Sequence, residues 1–429
     1  MRYLKQLIYE MRHQKMMTWI SIIGTAVSIF LVMVMFMTDN LKTVEISPDN
    51  NRKRIYAGMG MDVRSEGSTM MADLSYAAAK RLYGDLEGVE LTAYAQKNAM
   101  QEDVIIKGEI PANVATKKVD GNFWKLFDFK FIQGNNFTED ETIGNTDKIV
   151  ISRSIAHRLF ESEEVVGREL NIGGISRVVA GVVEDVNPIA QNAWAEVYLP
   201  LDSDERKEIS RVYDTMGWIM ALMLYEEGAD PEAIKSEVKS RFATLNAELE
   251  KEGWEVVYKE TPYSPEEIAL SDEEEIPDAT ASHKKQLALY IVLILLPAIN
   301  LSSMMRGRLQ HRISEIGVRR AFGAKRLDIV AQLMGENLVI TIAGAIIGLF
   351  LSYLFMMFLS SEFFMFVGEN RAYILSQRMA TPTFSMLFTW GAFFVAVVAC
   401  LVLNILTATL PAWKAAMMNP AQAILKSKS

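Results

Sequence analysis

Few residues in this 429-residue chain have the type and spacing that chemistry requires. The four histidines, His13, His157, His283 and His311, are scattered along it. A hydrolytic zinc site would need two histidines on one helix face beside a glutamate, and neither a His-Glu-x-x-His run nor a Cys/His cluster occurs. Ser154 and His157 share an expected helix, yet no Gly-x-Ser-x-Gly turn or evident acid partner makes them a nucleophile and its base. None of the 25 glycines is followed by lysine, so these residues contain no loop of the type that cradles nucleotide phosphates. Glu273, Glu274 and Glu275 lack an accompanying Asp/Gly loop and read as a solvated linker, not a cation site. No catalytic residue, cofactor, metal or nucleic-acid partner is expected.

The densest charged chemistry lies in Arg312-Ile-Ser-Glu-Ile-Gly-Val-Arg-Arg-Ala-Phe-Gly-Ala-Lys-Arg326. Glu315 stands three residues after Arg312 and four before Arg319, which lines up ion pairs on one helix face. Ile313, Ile316 and Phe322 offer apolar contact points, and Gly317 leaves a gap among charged side chains that another protein can approach. Gly323 suits the end of this helix, and Asp328 suits the first turn of the next. Charge alone fits a second role equally well, that of a segment which fixes topology and touches anionic lipid.

The elements that hold this segment are apolar. Residues 16–38, 286–305, 337–359 and 383–410 contain no Asp, Glu, Lys or Arg. At 1.5 Å per residue, a helix of about 23 residues spans about 34 Å, enough for a hydrocarbon core of roughly 30 Å. The first block exceeds the length of a signal-peptide core and no small-x-small site follows it before Asp39, so an uncleaved anchor is expected. Its lead-in, 1–15, places Leu4, Leu7, Ile8 and Met11 on one face, the spacing of an amphipathic helix lying in the membrane interface. Gly344 and Gly348 form a Gly-x-x-x-Gly within the third block, which permits close helix packing inside the chain or between copies.

Charge orients these blocks. Residues 39–283 carry 47 acidic and 26 basic groups, while the rest of the chain carries 6 acidic and 18 basic. Arg2, Lys5, Arg12 and Lys15 precede the first block, seven basic residues between Arg306 and Arg326 separate the second from the third, and Lys414, Lys426 and Lys428 follow the fourth. The positive-inside rule makes these three segments cytoplasmic and 39–283 external, with Lys284 and Lys285 a minor exception. The lone cysteine, Cys400, lies in the fourth block, so the acidic segment relies on its own core without disulfides.

That segment reads as mixed α and β. Strands are expected at 104–106, 148–151, 176–183, 195–199 and 219–225, and helices at 75–86, 154–160 and 231–250. Asp230 followed by Pro231 is a good helix start, and a strand at 254–258 would complete a βαβ unit with 219–225. Phe123, Phe127, Phe137 and Phe160 read as core, and Gly134 and Gly167 as turns. The expected fold is a membrane protein with four transmembrane α-helices and a large mixed α/β extracytoplasmic domain between helices 1 and 2. The expected order is an amphipathic helix (1–15), span 1 (16–38), the domain (39–283), span 2 (286–305) and a cytoplasmic segment (306–328). Span 3 with its lead-in (329–359), a short loop (360–382), span 4 (383–410) and a tail (411–429) complete it.

Several of these pieces resemble known families. The run Val119-Asp-Gly-Asn-Phe-Trp-Lys-Leu-Phe, then Gln133-Gly-Asn-Asn-Phe-Thr, Ile149-Val-Ile-Ser, Ala156-His-Arg-Leu-Phe160, Val166-Gly167 and 178–183 looks like the periplasmic core domain of MacB-type permeases. Glu315, Ile316, Gly317, Arg319, Arg320, Ala321, Gly323 and Ala324 resemble the E-I-G-x-R-R-A-x-G-A element of the FtsX-like permease family. The tail Pro411-Ala-Trp-Lys-Ala-Ala-Met-Met-Asn-Pro420-Ala-Gln-Ala-Ile-Leu resembles the same family's end, departing where Ala423-Ile-Leu replaces the usual Ala-Leu.

The resemblance implies a non-catalytic permease subunit of an ABC transporter in the bacterial inner membrane. Arg312, Glu315, Ile316, Gly317, Arg319, Arg320 and Gly323 would then be the region that couples to a separate ABC ATPase. Its implied partners are that ATPase, a second permease copy or paralogue, the lipid bilayer and a membrane-fusion protein. Efflux from the periplasmic side is the leading expectation. Signalling to a cell-wall hydrolase and lipoprotein release of the Lol type are its rivals. Single cysteines at Ser47, Ser203 and Ser314 in a Cys400→Ala background test the orientation with an impermeant thiol reagent on spheroplasts. Labelling is expected at the first two and not at Ser314; the reverse pattern would sink the topology.

Overall fold

The computed structural model describes residues 15–65, 68–105, 111–201, 209, 211–249, 253–270 and 321–366, with scattered positions between 284 and 402. Contacts divide the chain into two units, Lys42–Asp278 with Glu369–Ala380, and Met1–Leu41 with Ala279–Gly368 and Thr381–Ser429. The amphipathic lead-in 1–14 and the tail lie outside the described residues.

The apolar unit is built on helices Lys15–Thr43 and Arg326–Phe366, within which Thr18–Thr38 and Leu327–Phe358 are long and apolar enough to cross a bilayer. On the first helix the small polar residues Thr18, Ser21, Thr25 and Ser28 are buried, while Met16, Trp19, Ile23 and Val27 are exposed. This inside-out pattern suits lipid surroundings. Thr25 and Ser28 donate to the Ser21 and Gly24 carbonyls, each at 2.8 Å, so neither hydroxyl is left unsatisfied.

The polar stripe faces the glycine pair. A Cβ on Gly344 would lie 2.7 Å from the Thr25 Cβ, and one on Gly348 would lie 2.6 Å from the Ala26 carbonyl oxygen. Only glycine fits at either position, so the Gly-x-x-x-Gly motif serves packing within the chain. Thr25 meets Gly344 and Ile29 meets Gly348, a common offset of 319 positions, and the Phe30 and Phe355 rings meet edge to face at 5.4 Å. Contacts that advance together along both helices mean that the two run parallel.

The second helix has 41 residues, about 61 Å, roughly twice the hydrocarbon thickness. It runs past both ends of the span read from sequence, because no proline or glycine interrupts residues 359–366. Residues 287–292 of the second apolar block are helical, and Tyr290 stacks on Phe36 at 4.8 Å. The fourth block is described only at scattered positions, all helical, between 391 and 402.

Among the described residues, the acidic unit holds fourteen strands. β5 (Met100–Ile105), β6 (Ala112–Val119), β8 (Lys148–Ser152), β9 (Glu169–Ile172), β10 (Ile175–Val183) and β11 (Val197–Pro200) pair in a closed circuit, since β6 returns to pair with β11. Inside the ring lie buried aliphatic residues such as Val104, Ile149, Ile151 and Val182. β7 (Phe131–Gly134) joins the far end of β10. β4 (Val89–Gln96) bridges from β6 to β13 (Ile219–Tyr225), whose seven residues are all buried. β13 also pairs with β1 (Ile55–Gly58) and, at Ile219, with β3 (Ser68–Leu74), which continues to β2 (Met61–Ser65) and β14 (Glu255–Val257). β12 (Met216–Gly217) is a short addition to β3.

Two helices cover this second sheet. Tyr76–Tyr83 starts on a Ser75 cap that accepts from the Ala78 amide at 3.1 Å, and Pro231–Leu249 starts where Asp230 accepts from the Glu232 amide at 3.0 Å. The longer helix buries Ile234, Val238, Phe242, Leu245 and Leu249, one stripe at helical spacing. Its following strand does not form the expected βαβ unit. β14 pairs antiparallel with β2 at the sheet edge, separated from β13 by β2 and β3. The parallel unit is instead β8, helix Arg153–Phe160 and β10. Phe123, Phe127 and Phe137 are buried as expected, around Tyr198 and the partly buried Trp124.

The glycine seam generates a direct expectation. Replacing Gly344 and Gly348 together with leucine should force the helices apart, with overpacking of about 1–3 kcal/mol per site. The full chain in detergent should lose several degrees of thermal resistance while the acidic domain's own melting is unchanged. Equal melting of both would show that the seam contributes nothing.

Candidate functional site

Arg312, Glu315, Ile316, Gly317, Arg319 and Arg320 lie outside the described residues; Gly323 and its neighbours do not. Val318 and Ala321 are helical, and the Phe322 amide donates to the Val318 carbonyl at 3.1 Å, closing the last turn. Gly323 follows at φ +96° in open space, a left-handed end that favours glycine. The Lys325 carbonyl then accepts from the Asp328 and Ile329 amides, which begins the 41-residue helix with an acid in its first turn. The expected stop at Gly323 and start near Asp328 are both present.

This tip is apolar and open. Phe322 is 88% exposed, Leu327 68% and Val318 43%. Sequence reasoning singled out Phe322 and passed over Leu327, which it placed in the cytoplasmic segment 306–328 without a role of its own. The offset of 319 sets Lys15 level with Met334, so the helix projects below that lysine by about eight residues, or 12 Å. Glu336 is buried two residues inside that level and accepts from Gln332 Nε2 at 3.4 Å. A carboxylate near the interface end of a span is far less costly than one at its centre.

At the other end of the first helix, the chain enters the acidic domain through residues 44–54. Arg52 Nη1 donates to the Val44 carbonyl at 3.3 Å and to the Ile189 carbonyl at 3.1 Å, fastening this connector to the loop at 187–195. That loop is held from within by Lys117, whose Nζ donates to the Gln191 and Asn192 carbonyls at 3.1 and 2.9 Å. Lys117 is completely buried, and desolvation pulls its pKa down to about 7. Asp49 is also buried, with neither carboxylate oxygen hydrogen-bonded and the Arg52 Nε 3.8 Å away. Desolvation, partly offset by Arg52, pushes Asp49 up to about 6.

The catalytic possibilities weighed from sequence do not assemble. The Ser154 hydroxyl donates to Asp185 at 2.6 Å, while His157 Nε2 pairs with Glu163 at 3.0 Å. Each therefore has its own carboxylate and neither serves the other. Among the described residues no three His, Cys, Asp or Glu side chains gather as a metal would require. The run Glu273–Glu275, Cys400 and the other three histidines lie outside the described residues. What remains is an exposed apolar tip and two helices fastened in parallel in one unit, and in the other a connector tied to the loop at 187–195.

Asp49 makes that connector pH-sensitive in a defined direction. Its pKa is higher in the folded state than the ordinary 3.8, so the contribution it makes to stability is complete below about pH 4 and is lost as pH rises through about 6. Asp49→Asn should stabilise the acidic domain at pH 8 by about 3 kcal/mol, read as a higher melting temperature, and bring no gain at pH 4. A gain that is the same at both pH values would rule out the buried charge as its cause.

Residues 18–241 match the family described as MacB-like periplasmic core domain, and residues 287–420 match the FtsX-like permease C-terminal family. The chain is similar to the macrolide export ATP-binding/permease protein MacB of Chromobacterium violaceum, 22% identical over 349 residues that cover 80% of this chain and 49% of that protein. It is also similar to the uncharacterized ABC transporter permease YknZ of Bacillus subtilis, 23% identical over 307 residues that cover 71% of this chain and 68% of that protein. Among solved structures, the extracellular domain of the ABC-type transporter YknZ matches with 17% identity and a TM-score of 0.33, covering 46% of this chain and all of that domain. The chain spans about half the length of the first curated relatives it matches.

Proposed function

This chain belongs to the family of ABC transporter permeases that join a MacB-like periplasmic core domain to an FtsX-like membrane region, and from that premise we propose that it is a mechanical transmitter. In this reading a separate ATPase engages the cytoplasmic segment 306–328, and its ATP-driven closure moves the outer domain so that a substrate is expelled from the periplasmic side. These 429 residues contain no phosphate loop, so in this reading the ATPase lies outside them.

The parallel packing of the two long helices is the observation that carries the reading. Two spans that run parallel require an odd number of crossings between them. The apolar block 286–305 supplies one, and the Tyr290–Phe36 stack at its start is consistent with an antiparallel return beside the outer half of the first helix. Adding block 383–410 gives four spans with both termini inside. The glycine seam then makes helices 1 and 3 a single body, with the exposed Phe322 and Leu327 at its cytoplasmic end. A second permease copy and a membrane-fusion protein complete the proposed assembly. The large outer domain favours efflux over hydrolase signalling, whose FtsX-type transmitters carry a much smaller one.

The coupling segment is tested by substitution. Gly317→Trp should block approach by bulk, and Glu315→Lys should place like charges together where Arg312 and Arg319 flank it. Loss of a desolvated charge contact at an interface commonly costs on the order of 2–5 kcal/mol, so association with the ATPase should weaken at least tenfold while membrane insertion is unchanged. Co-purification and ATPase rate in lipid read the effect. If both variants bind and sustain wild-type hydrolysis, the segment is ordinary helix surface and the coupling assignment fails.

A further inference from the structure

The segment Lys42–Asp278 joins the apolar unit through a stretch of chain at each of its ends, and the structure ties the two stretches to each other. β1 is held on both edges, by β13 on one side and by Tyr263 on the other. The Ala57 amide donates to the Tyr263 carbonyl and the Tyr263 amide donates to the Ala57 carbonyl, both at 2.9 Å. Ala57 lies 14 residues past the end of the first helix at Thr43, and Tyr263 belongs to the segment that leads back towards the second apolar block.

The returning segment is fixed from several directions. Thr261 is buried and shares a hydrogen bond of 2.5 Å with the Tyr83 hydroxyl. Burial raises Tyr83 far above the ordinary phenol range, so the proton stays on its oxygen. The Tyr258 hydroxyl donates to the Thr261 and Lys235 carbonyls at 3.0 and 3.2 Å, and the Tyr263 hydroxyl donates to the Lys259 carbonyl at 2.7 Å. Lys259 pairs with Asp62, and Lys235 pairs with Glu267 at 3.3 Å. Helix Pro265–Leu270 begins on a reciprocal cap between Ser264 and Glu267 and packs against residues 52–54 and β1. Gly58 makes the arrangement possible, since a Cβ there would lie 2.5 Å from the Tyr83 ring.

We propose that residues 55–58 and 258–267 form a clasp that stays closed while the permease works, so that the two connectors act on the outer domain through one attachment. Force arriving along either connector then enters at β1 and passes to β13, β4 and the ring. Tyr83, Thr261 and Tyr263 are its positioning residues. The inference rests on the transmitter reading above, and its test is arranged so that the two can fail separately.

In the full chain in lipid, without any partner, the Ala57 and Tyr263 amides should exchange hydrogen as slowly as those of β13. Exchange more than tenfold faster than in β13 would overturn the clasp whatever the protein transports. Gly58→Ala should push Tyr83 off Thr261, and the milder Thr261→Val removes only the hydroxyl. Each should speed exchange at Tyr263 at least tenfold, and unchanged exchange in both counts against the proposal. Cysteines replacing Ala57 and Tyr263 stand about 5.5 Å apart between Cα atoms, as in any hydrogen-bonded antiparallel pair, within reach of a disulfide. The ATPase that co-purifies with the chain should turn over within twofold in the oxidised and reduced forms. A tenfold loss on oxidation that reductant restores would show that the clasp must open.

Discussion

The close approach of two helices at Gly344 and Gly348 is the constraint on which the rest of the molecule depends. Apolar side chains alone give little reason for helices to associate in lipid, because the tails are as apolar as leucine. Removing side chains at two positions one turn apart lets backbones touch, and the contact becomes one of shape. It also fixes a register. Once Thr25 sits on Gly344, the levels along both helices follow, with Glu336 two residues inside the level of Lys15 and Phe322 and Leu327 beyond it.

The acidic domain solves a different problem, that of entering a sheet from a membrane helix without leaving polar groups stranded. Arg52 satisfies carbonyls on both sides of the connector, and Lys117 does the same for the adjoining loop from the interior. Both replace a solvent shell with backbone oxygens. Asp49 is the member left without a donor, and burying it makes the junction less stable when the carboxylate is charged.

Where the sequence was legible, the signal was local. The apolar blocks, the start at Asp230 and Pro231, the stop at Gly323 and strand β13 each announce themselves within a few residues. Strands β2, β3 and β6 did not, because Met61–Ser65 and Ser68–Leu74 are rich in Met, Ser, Thr and Asp, and Ala112–Val119 carries two lysines. Lys117 is the clearest case. A lysine reads as surface until a loop 74 residues away supplies the carbonyls that permit its burial. The misread βαβ unit has the same origin, since nothing near residues 255–257 says that their partner is β2. For residues 312–326, spacing supplied a charged helix face, whereas the coupling role proposed for Glu315 and Gly317 came from resemblance to a family.

The ring formed by β5, β6, β8, β9, β10 and β11 has a consequence for how this protein meets others. An open sheet offers a row of unpaired amides and carbonyls to any passing extended chain, and that row is a template for strand addition and for aggregation. A closed circuit has no such row. Neighbours in a crowded compartment outside the membrane must therefore recognise this part of the molecule through its side chains and loops, which can change by mutation without disturbing the backbone hoop beneath them. The lobe is free to acquire new acquaintances while remaining inert to accidental ones.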